Sequence, residues 1–301
     1  MRAHPDARLP PIRSWLYAPG NNPKLLGRVF EAGADAVILD LEDAVPPSEK
    51  IRAREMVAET VRARHDQAGP VLFVRINHPS TGLAEEDVSA TVGRGLDGVR
   101  IPKVESPETV DQVAGWIRQA EGRVGLPAGT VAFICTLESA VGVWHALQIA
   151  QRGPLALAFG AVDFVRDING QPGTKGLETL YARSRLVLAS RAARIRAPVE
   201  SVYPRIQDDE GLERSTRLSR GLGFFGRSAI HPRQVPIINR LFTPTTEEIA
   251  RAREIVDGAA NAEATGSGAL QLPGGEFVDR PVVDRAEALL RLADALGDCD
   301  A

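Results

Sequence analysis

Short apolar runs alternate with helix-patterned stretches eight times along most of this chain. That alternation restricts the fold more than any other feature. The runs fall at residues 14–18, 36–41, 71–76, 98–102, 131–137, 155–160, 199–203 and 223–226. Their length and continuous apolar character predict strands covered on both faces. Between them, helical patterns occupy about 23–33, 48–64, 83–94, 107–120, 139–152, 175–195, 209–221 and 232–241. Eight βα units in succession predict an α/β chain closed into a (β/α)8 TIM barrel over residues 13–242. An open doubly wound sheet would need a glycine-rich phosphate loop after its first strand. The segment Pro19-Gly-Asn-Asn-Pro23 has no GxGxxG spacing.

A different pattern follows. Residues 243–301 read as a C-terminal helix–hairpin–helix appendage, with helices at about 246–264 and 281–296 and a hairpin turning at Pro273-Gly-Gly275. So small a segment has too little apolar surface to fold alone and is expected to pack on the barrel or reach a neighbouring subunit. Residues 1–12 read as a disordered arm with no secretory h-region. A formal net charge of -3 argues against nucleic acid and anionic membrane surfaces as partners, and no apolar stretch is long enough to span a bilayer. Two cysteines, Cys135 and Cys299, make neither a disulfide framework nor a zinc site. The expected compartment is the cytoplasm.

The residues that follow each strand carry the chemistry. In a barrel of this kind the carboxyl ends of the strands form the active face. Gathered there are Asp40, Glu42 and Asp43 after strand two, Arg75 and Asn77 after strand three, and Lys103 after strand four. Glu138 follows strand five, Asp163 strand six, and Glu200 lies on strand seven. Charges collected at one rim are costly to desolvate unless they pair or bind something. Glu138 and Asp163 present acceptor-only oxygens suited to Mg2+, leaving the other positions of an octahedron to water and a chelating substrate. Arg75 offers a planar fork for a substrate carboxylate or an enolate. Asp40, Glu42 and Asp43 are expected in outer contacts, through metal-bound water or pairing with Arg75 and Lys103. Acidic neighbours should keep Lys103 protonated, against Schiff-base chemistry.

These motifs resemble a known family. Pro19-Gly-Asn-Asn-Pro23, Ala34-Asp-Ala-Val-Ile-Leu-Asp-Leu-Glu-Asp-Ala-Val45, Val74-Arg-Ile-Asn77, Ile101-Pro-Lys-Val-Glu105, Leu137-Glu-Ser139, Phe159-Gly-Ala-Val-Asp-Phe164 and Ile230-His-Pro-Arg-Gln234 are similar to the HpcH/HpaI aldolase and citrate lyase β-subunit-like superfamily. The resemblance implies a TIM barrel with Mg2+ on Glu138 and Asp163 and with Arg75 at the acyl oxygen or carboxylate. It implies that Asp279, in Phe277-Val-Asp-Arg-Pro281, enters a neighbouring subunit's site as the acid/base, in a homotrimer or a multiple of it. It places coenzyme A near Tyr17, Asn22 and Arg28. The implied reaction is reversible C–C cleavage of a 3-hydroxyacyl-CoA to an acyl-CoA and a 2-oxo acid, as in malyl-CoA and citramalyl-CoA lyases. Two alternatives stand beside it: a class II pyruvate-type aldolase on free hydroxy-oxo acids, and a citryl-carrier-protein lyase subunit active only in a complex. Relatives usually carry Asp where Glu200 stands, so Glu200 is expected to reshape the strand-seven rim.

Overall fold

The computed structural model describes residues 9–65, 67–173, 175–264, 270–271 and 277–297. The chain divides into two compact units, one ending at Arg240 and the other starting at Leu241. In the first unit seven parallel strands form one curled sheet: β1 (Ser14–Pro19), β2 (Ala36–Asp40), β3 (Val71–Arg75), β4 (Gly98–Ile101), β5 (Ala132–Leu137), β6 (Ala156–Phe159) and β7 (Arg227–Ala229). Their order across the sheet is β6-β5-β4-β3-β2-β1-β7. Between them run α1 (Pro23–Arg28), α2 (Lys50–Ala63), α3 (Ala84–Thr91), α4 (Pro107–Arg123), the short α5 (Ala140–Trp144) and α6 (Ala146–Ala150), α7 (Ala161–Asp167), α8 (Leu180–Ala193) and α9 (Asp209–Leu222). Helix α10 (Gln234–Phe242) follows β7. No helix among the described residues is long and apolar enough to cross a membrane.

Six of the expected strands lie where the apolar runs stand; the seventh and eighth differ. Residues 199–203 supply only two bridging residues, Val199 beside Ala158 of β6 and Glu200 beside Arg227 of β7. The ladder stops there because the Ser201 N–H turns to the Glu200 carboxylate, 2.7 Å away. The strand expected at 223–226 begins later, at Arg227. Gly223 (φ +105°) ends α9 and Gly226 (φ +87°) is again left-handed, so this glycine-bounded stretch is a turn. The arm expected to be disordered is held from residue 9: Ile12 is buried and Arg196 donates to the Leu9 and Pro10 carbonyls. Residues 1–8 of that arm, and Cys299, lie outside the described residues.

One face of the sheet is built in layers, because alternate side chains of a strand share a face. The lower part is apolar: Trp15, Ile38, Phe73, Ile134, Ala158 and Val199 pack in one cluster. Trp15 meets Phe73 edge-on, with ring centroids 5.1 Å apart. Gly98 stands where a side chain would collide with this packing, since a Cβ there would lie 2.2 Å from the Phe73 ring. Two residues further along the strands the same face turns polar, with Tyr17, Asp40, Arg75, Arg100 and Thr136.

The second unit pairs α11 (Thr246–Ala264) with α12 (Arg280–Gly297). Ala252 and Ile255 pack against Val278, Val283 and Ala286. Between the helices β8 (Leu270–Gln271) and β9 (Phe277–Val278) run antiparallel, Leu270 opposite Val278. The turn expected at Pro273-Gly-Gly275 lies outside the described residues.

The layered packing makes a testable statement. Gly98→Ala overfills the lower layer and should cost about 1–3 kcal/mol in urea unfolding. Adding Phe73→Leu should recover part of that loss. Additive costs in the double variant would show that the two positions do not share the space.

Candidate active site

Above the apolar layers lies a cavity of about 340 Å3, lined by Tyr17, Asp40, Arg75, Arg100, Thr136, Glu138, Gly160, Asp163, Ser201 and Ser228 among others. It opens at the carboxyl ends of the strands. Asp40, the last residue of β2, is the most heavily bonded group in it. Its carboxylate accepts from the backbone of Glu42 (2.9 Å) and Ala44 (3.2 Å), and from Arg75 Nε (2.6 Å) and Nη2 (2.7 Å). Four donors on a carboxylate that is 1% exposed offset its desolvation. The β2 loop is pinned again by Lys50, whose ammonium donates to the Leu41 and Glu42 carbonyls.

Arg75 is thereby held with much of its fork in use. Its Nη1 also lies 2.9 Å from Glu42 Oε2, an ion pair whose angle is too poor for a hydrogen bond. Burial opposes the charge of Arg75, but Asp40 and Glu42 outweigh it and hold the guanidinium well above its usual value. Burial pushes the Glu42 carboxyl up, with Arg75 and Lys103 pulling it back. Lys103 bonds Glu42 and Asp43. Burial alone would lower its ammonium, but these hydrogen bonds prevail and push it up to about 12. The protonation expected of Lys103 is therefore what its surroundings impose, and an amine nucleophile is not.

Glu138 follows β5 and is buried, with 6% exposure. Its Oε1 accepts from the Lys103 backbone N–H at 2.7 Å. Its Oε2 lies against Gly160, so close that a Cβ there would come within 2.4 Å. Burial first, then the charges of Glu42 and Asp163, raise this carboxyl to about 7. Asp163 does not end a strand; it stands in the first turn of α7, which starts directly after Gly160. The run Phe159-Gly-Ala-Val-Asp163 reads as a continued apolar strand, and only the three-dimensional turn separates the two. Asp163 still lines the cavity, and its partner is the mostly exposed Arg166 at 2.8 Å. A surface pair of this kind is weak and yields to a stronger cation. Two carboxylates lining one cavity, one of them buried with a single backbone hydrogen bond, fit a hard divalent ion that takes its remaining ligands from water and substrate. Among the described residues no three or more His, Cys, Asp or Glu side chains converge on one point.

Other expected site residues lie elsewhere. Tyr17 is on the cavity floor, its ring between the guanidiniums of Arg75 (5.0 Å) and Arg100 (5.3 Å). Asn22 caps α1, accepting from the Lys24 and Leu25 N–H groups, and Arg28 is exposed in that helix's last turn. Neither lines the cavity. Asp279 is exposed and its carboxylate caps the first turn of α12, 3.4 Å from the Val282 nitrogen. Glu200 is not at the rim. It is fully buried and points away from the cavity, receiving Ser219 Oγ (2.5 Å) and lying 3.2 Å from Arg183 Nε. Strand alternation accounts for this, since its neighbours Val199 and Ser201 take the inner face. The carboxylate therefore belongs to the packing beneath α8 and α9 and not to the rim.

Arg100 was not legible as a functional residue, although it pairs in register with Arg75. Parallel register places the two side chains on the same face, and that pairing is the signal that would have found it.

The raised carboxyl of Glu138 predicts a pH dependence. Its folded-state value near 7 lies above the usual 4.5, so the folded chain keeps a proton that the unfolded chain has released. This group therefore favours folding at low pH, and the advantage is lost as pH rises from 4.5 through about 7. Melting curves of the metal-free protein should show Glu138→Gln gaining on the wild type across that window. Parallel pH profiles for the two would refute the assignment.

Known proteins resemble this chain over most of its length. The HpcH/HpaI aldolase/citrate lyase family model matches residues 13–232. The citrate lyase subunit beta of Leuconostoc mesenteroides subsp. cremoris is 38% identical over 285 residues, covering 94% of this chain and 93% of that protein. The L-malyl-CoA/beta-methylmalyl-CoA lyase of Cereibacter sphaeroides is 33% identical, covering 98% of each. Among solved structures, CitE of Mycobacterium tuberculosis in complex with magnesium, acetoacetate and coenzyme A superposes with a TM-score of 0.75 at 29% identity, covering 96% of this chain and 99% of that one. The chain belongs to the HpcH/HpaI aldolase/citrate lyase family.

Proposed function

We propose that this chain is a Mg2+-dependent CoA-ester lyase that reversibly cleaves a 3-hydroxyacyl-CoA into an acyl-CoA and a 2-oxo acid. The observation that carries the reading is the pair Glu138 and Asp163 facing a cavity floored by guanidiniums. Relatives in the same family are lyases by name, and the superposed mycobacterial protein was solved with magnesium and coenzyme A.

Glu138 and Asp163 would hold the ion, and Gly160 leaves room for the Glu138 carboxylate. When bound there, Mg2+ would supply Lewis acidity to the oxo acid. In cleavage, the hydroxyl proton leaves and the bond between the hydroxyl carbon and the carbon beside the thioester breaks. The electron pair passes to the acyl-CoA enolate, which then takes a proton at carbon. The N–H groups that Arg75 does not spend on Asp40 face the developing enolate oxygen, and Asp40 keeps that guanidinium in place. Lys103 stays protonated and secures Glu42 and Asp43. Asp279, supplied by a neighbouring copy, moves the proton, and coenzyme A approaches along Asn22 and Arg28.

Three finer assignments belong to the same proposal. Val199 and Glu200, bridging β6 and β7, close the sheet into an eight-stranded TIM barrel. Residues 243–301 complete the site of a neighbouring subunit in a homotrimer. Leu177, Tyr181 and Leu188, each more than 60% exposed in the single chain, supply apolar surface for such association. The enzyme works in the cytoplasm, where CoA esters are made. A carrier-protein thioester, used within a larger complex, is a second reading favoured by the 38% identity to a citrate lyase subunit.

Purified chain with Mg2+ should cleave a malyl-type or citryl-type CoA ester, and chelation should abolish turnover. Absence of turnover on every CoA ester, with activity appearing only on an acyl-carrier-protein thioester, would favour the second reading. Gly160→Ala should fold yet lose Mg2+ affinity roughly 10–100-fold, because its methyl displaces Glu138; unchanged affinity in calorimetry would separate the ion from this carboxylate. Glu138→Gln and Asp279→Ala should each be inactive alone and partly active when co-expressed as mixed oligomers. Mixed oligomers without activity would place both groups in one subunit's site or remove Asp279 from it.

A further inference from the structure

A left-handed backbone is unfavourable for a residue with a side chain, because Cβ crowds the following carbonyl oxygen. Among the described residues three besides glycine adopt it: Lys103 (φ +49°), Asn169 (φ +53°) and Arg194 (φ +58°). Asn169 and Arg194 stand just past α7 and α8, where helices commonly close in this way. Lys103 closes no helix. It lies two residues beyond the end of β4, and strain kept at such a place points to something that it holds.

What it holds is Glu138. Ile101 pairs with Cys135 of β5, and the ladder resumes at Val104, whose N–H donates to the Thr136 carbonyl at 3.0 Å. Between them Pro102 has no N–H to give. The turn at Lys103 sends its own N–H out of the ladder to Glu138 Oε1, 2.7 Å away. This is the one hydrogen bond that the Glu138 carboxylate receives among the described residues, and its other oxygen lies against Gly160. The angle φ sets the direction of a residue's N–H against the chain that follows. With that chain fixed at Val104, an ordinary φ would turn the N–H away from the carboxylate.

The side chain of Lys103 offsets the twist. Its ammonium donates to Glu42 and to both oxygens of Asp43, Oδ1 at 3.0 Å and Oδ2 at 3.1 Å. There it lines a second cavity of about 390 Å3, with Lys50, Asn77 and His78. The lining of that cavity shares no residue with the one that holds Glu138 and Asp163. The link from Lys103 to Glu138 therefore runs through its backbone.

We infer that Lys103 is a positioning residue for the divalent ion: its left-handed peptide aims the Glu138 carboxylate, and its side chain serves to hold that peptide rather than to set a charge near the ion. The inference rests on the proposed lyase function, in which Glu138 and Asp163 hold Mg2+.

The test titrates Mg2+ alone, by calorimetry, into the full-length protein and its Lys103→Ala, Lys103→Gly and Lys103→Asn variants. All three remove the ammonium. They differ in the twist, which alanine resists and which glycine and asparagine adopt readily. Lys103→Ala should bind Mg2+ roughly five- to thirtyfold more weakly than the wild type, the factor that the left-handed conformation imposes. Lys103→Gly and Lys103→Asn should both stay within about threefold of the wild type. The asparagine variant guards against the added freedom of glycine, and urea unfolding checks that each variant is folded. An equal loss in all three overturns the inference and assigns the effect to the charge. Unchanged affinity in the alanine variant overturns it as well. Should that variant not fold, a loss beyond about tenfold in both of the others overturns it without alanine. Each of these results leaves the lyase proposal standing, whereas a wild type that binds no Mg2+ overturns both.

Discussion

The carboxylate of Asp40 is the constraint on which the site depends. It ends a strand that is buried along its whole length, and four donors converge on it there. Two come from the loop it precedes, so the loop is folded around the charge. Two come from Arg75, so that guanidinium is aimed before any ligand arrives. From Arg75 the chain of contacts runs to Glu42 and then to Lys103, joining the ends of β2, β3 and β4. Such a network is stable only when each member is satisfied. Here the acids and bases nearly balance on that side, leaving Glu138 and Arg100 as the groups with spare capacity.

Much of this was legible in the sequence, for identifiable reasons. Strands buried on both faces leave continuous apolar runs, so β1 to β6 stand out. A charged residue just past such a run emerges at the rim, which is how Asp40, Arg75, Lys103 and Glu138 were placed. Not every apolar run is a strand. Val199-Glu200-Ser201 looks like one, yet the Glu200 side chain captures the next N–H and ends the ladder. The glycines at 223 and 226 look like part of a strand, yet both take left-handed conformations.

Arg100 shows a different limit. Periodicity tells which residues share a face, not which of them find partners there. Arg75 and Arg100 occupy equivalent positions on neighbouring strands, and only the placement of Asp40 decides that one is paired and the other is not. Glu200 and Ser201 make the same point in reverse, since one residue of offset sends a carboxylate into packing beneath the helices instead of toward the cavity.

Lys103 joins two regions that otherwise have no common part. It adopts a left-handed backbone (φ +49°), unfavourable for a residue with a side chain. That twist lets its peptide N–H face Glu138 while its ammonium turns the other way, to Glu42 and Asp43. One residue thus serves both sides, its peptide steadying Glu138 and its ammonium holding the acids of the β2 loop, so replacing its side chain would free that loop while leaving the peptide contact to the backbone twist alone.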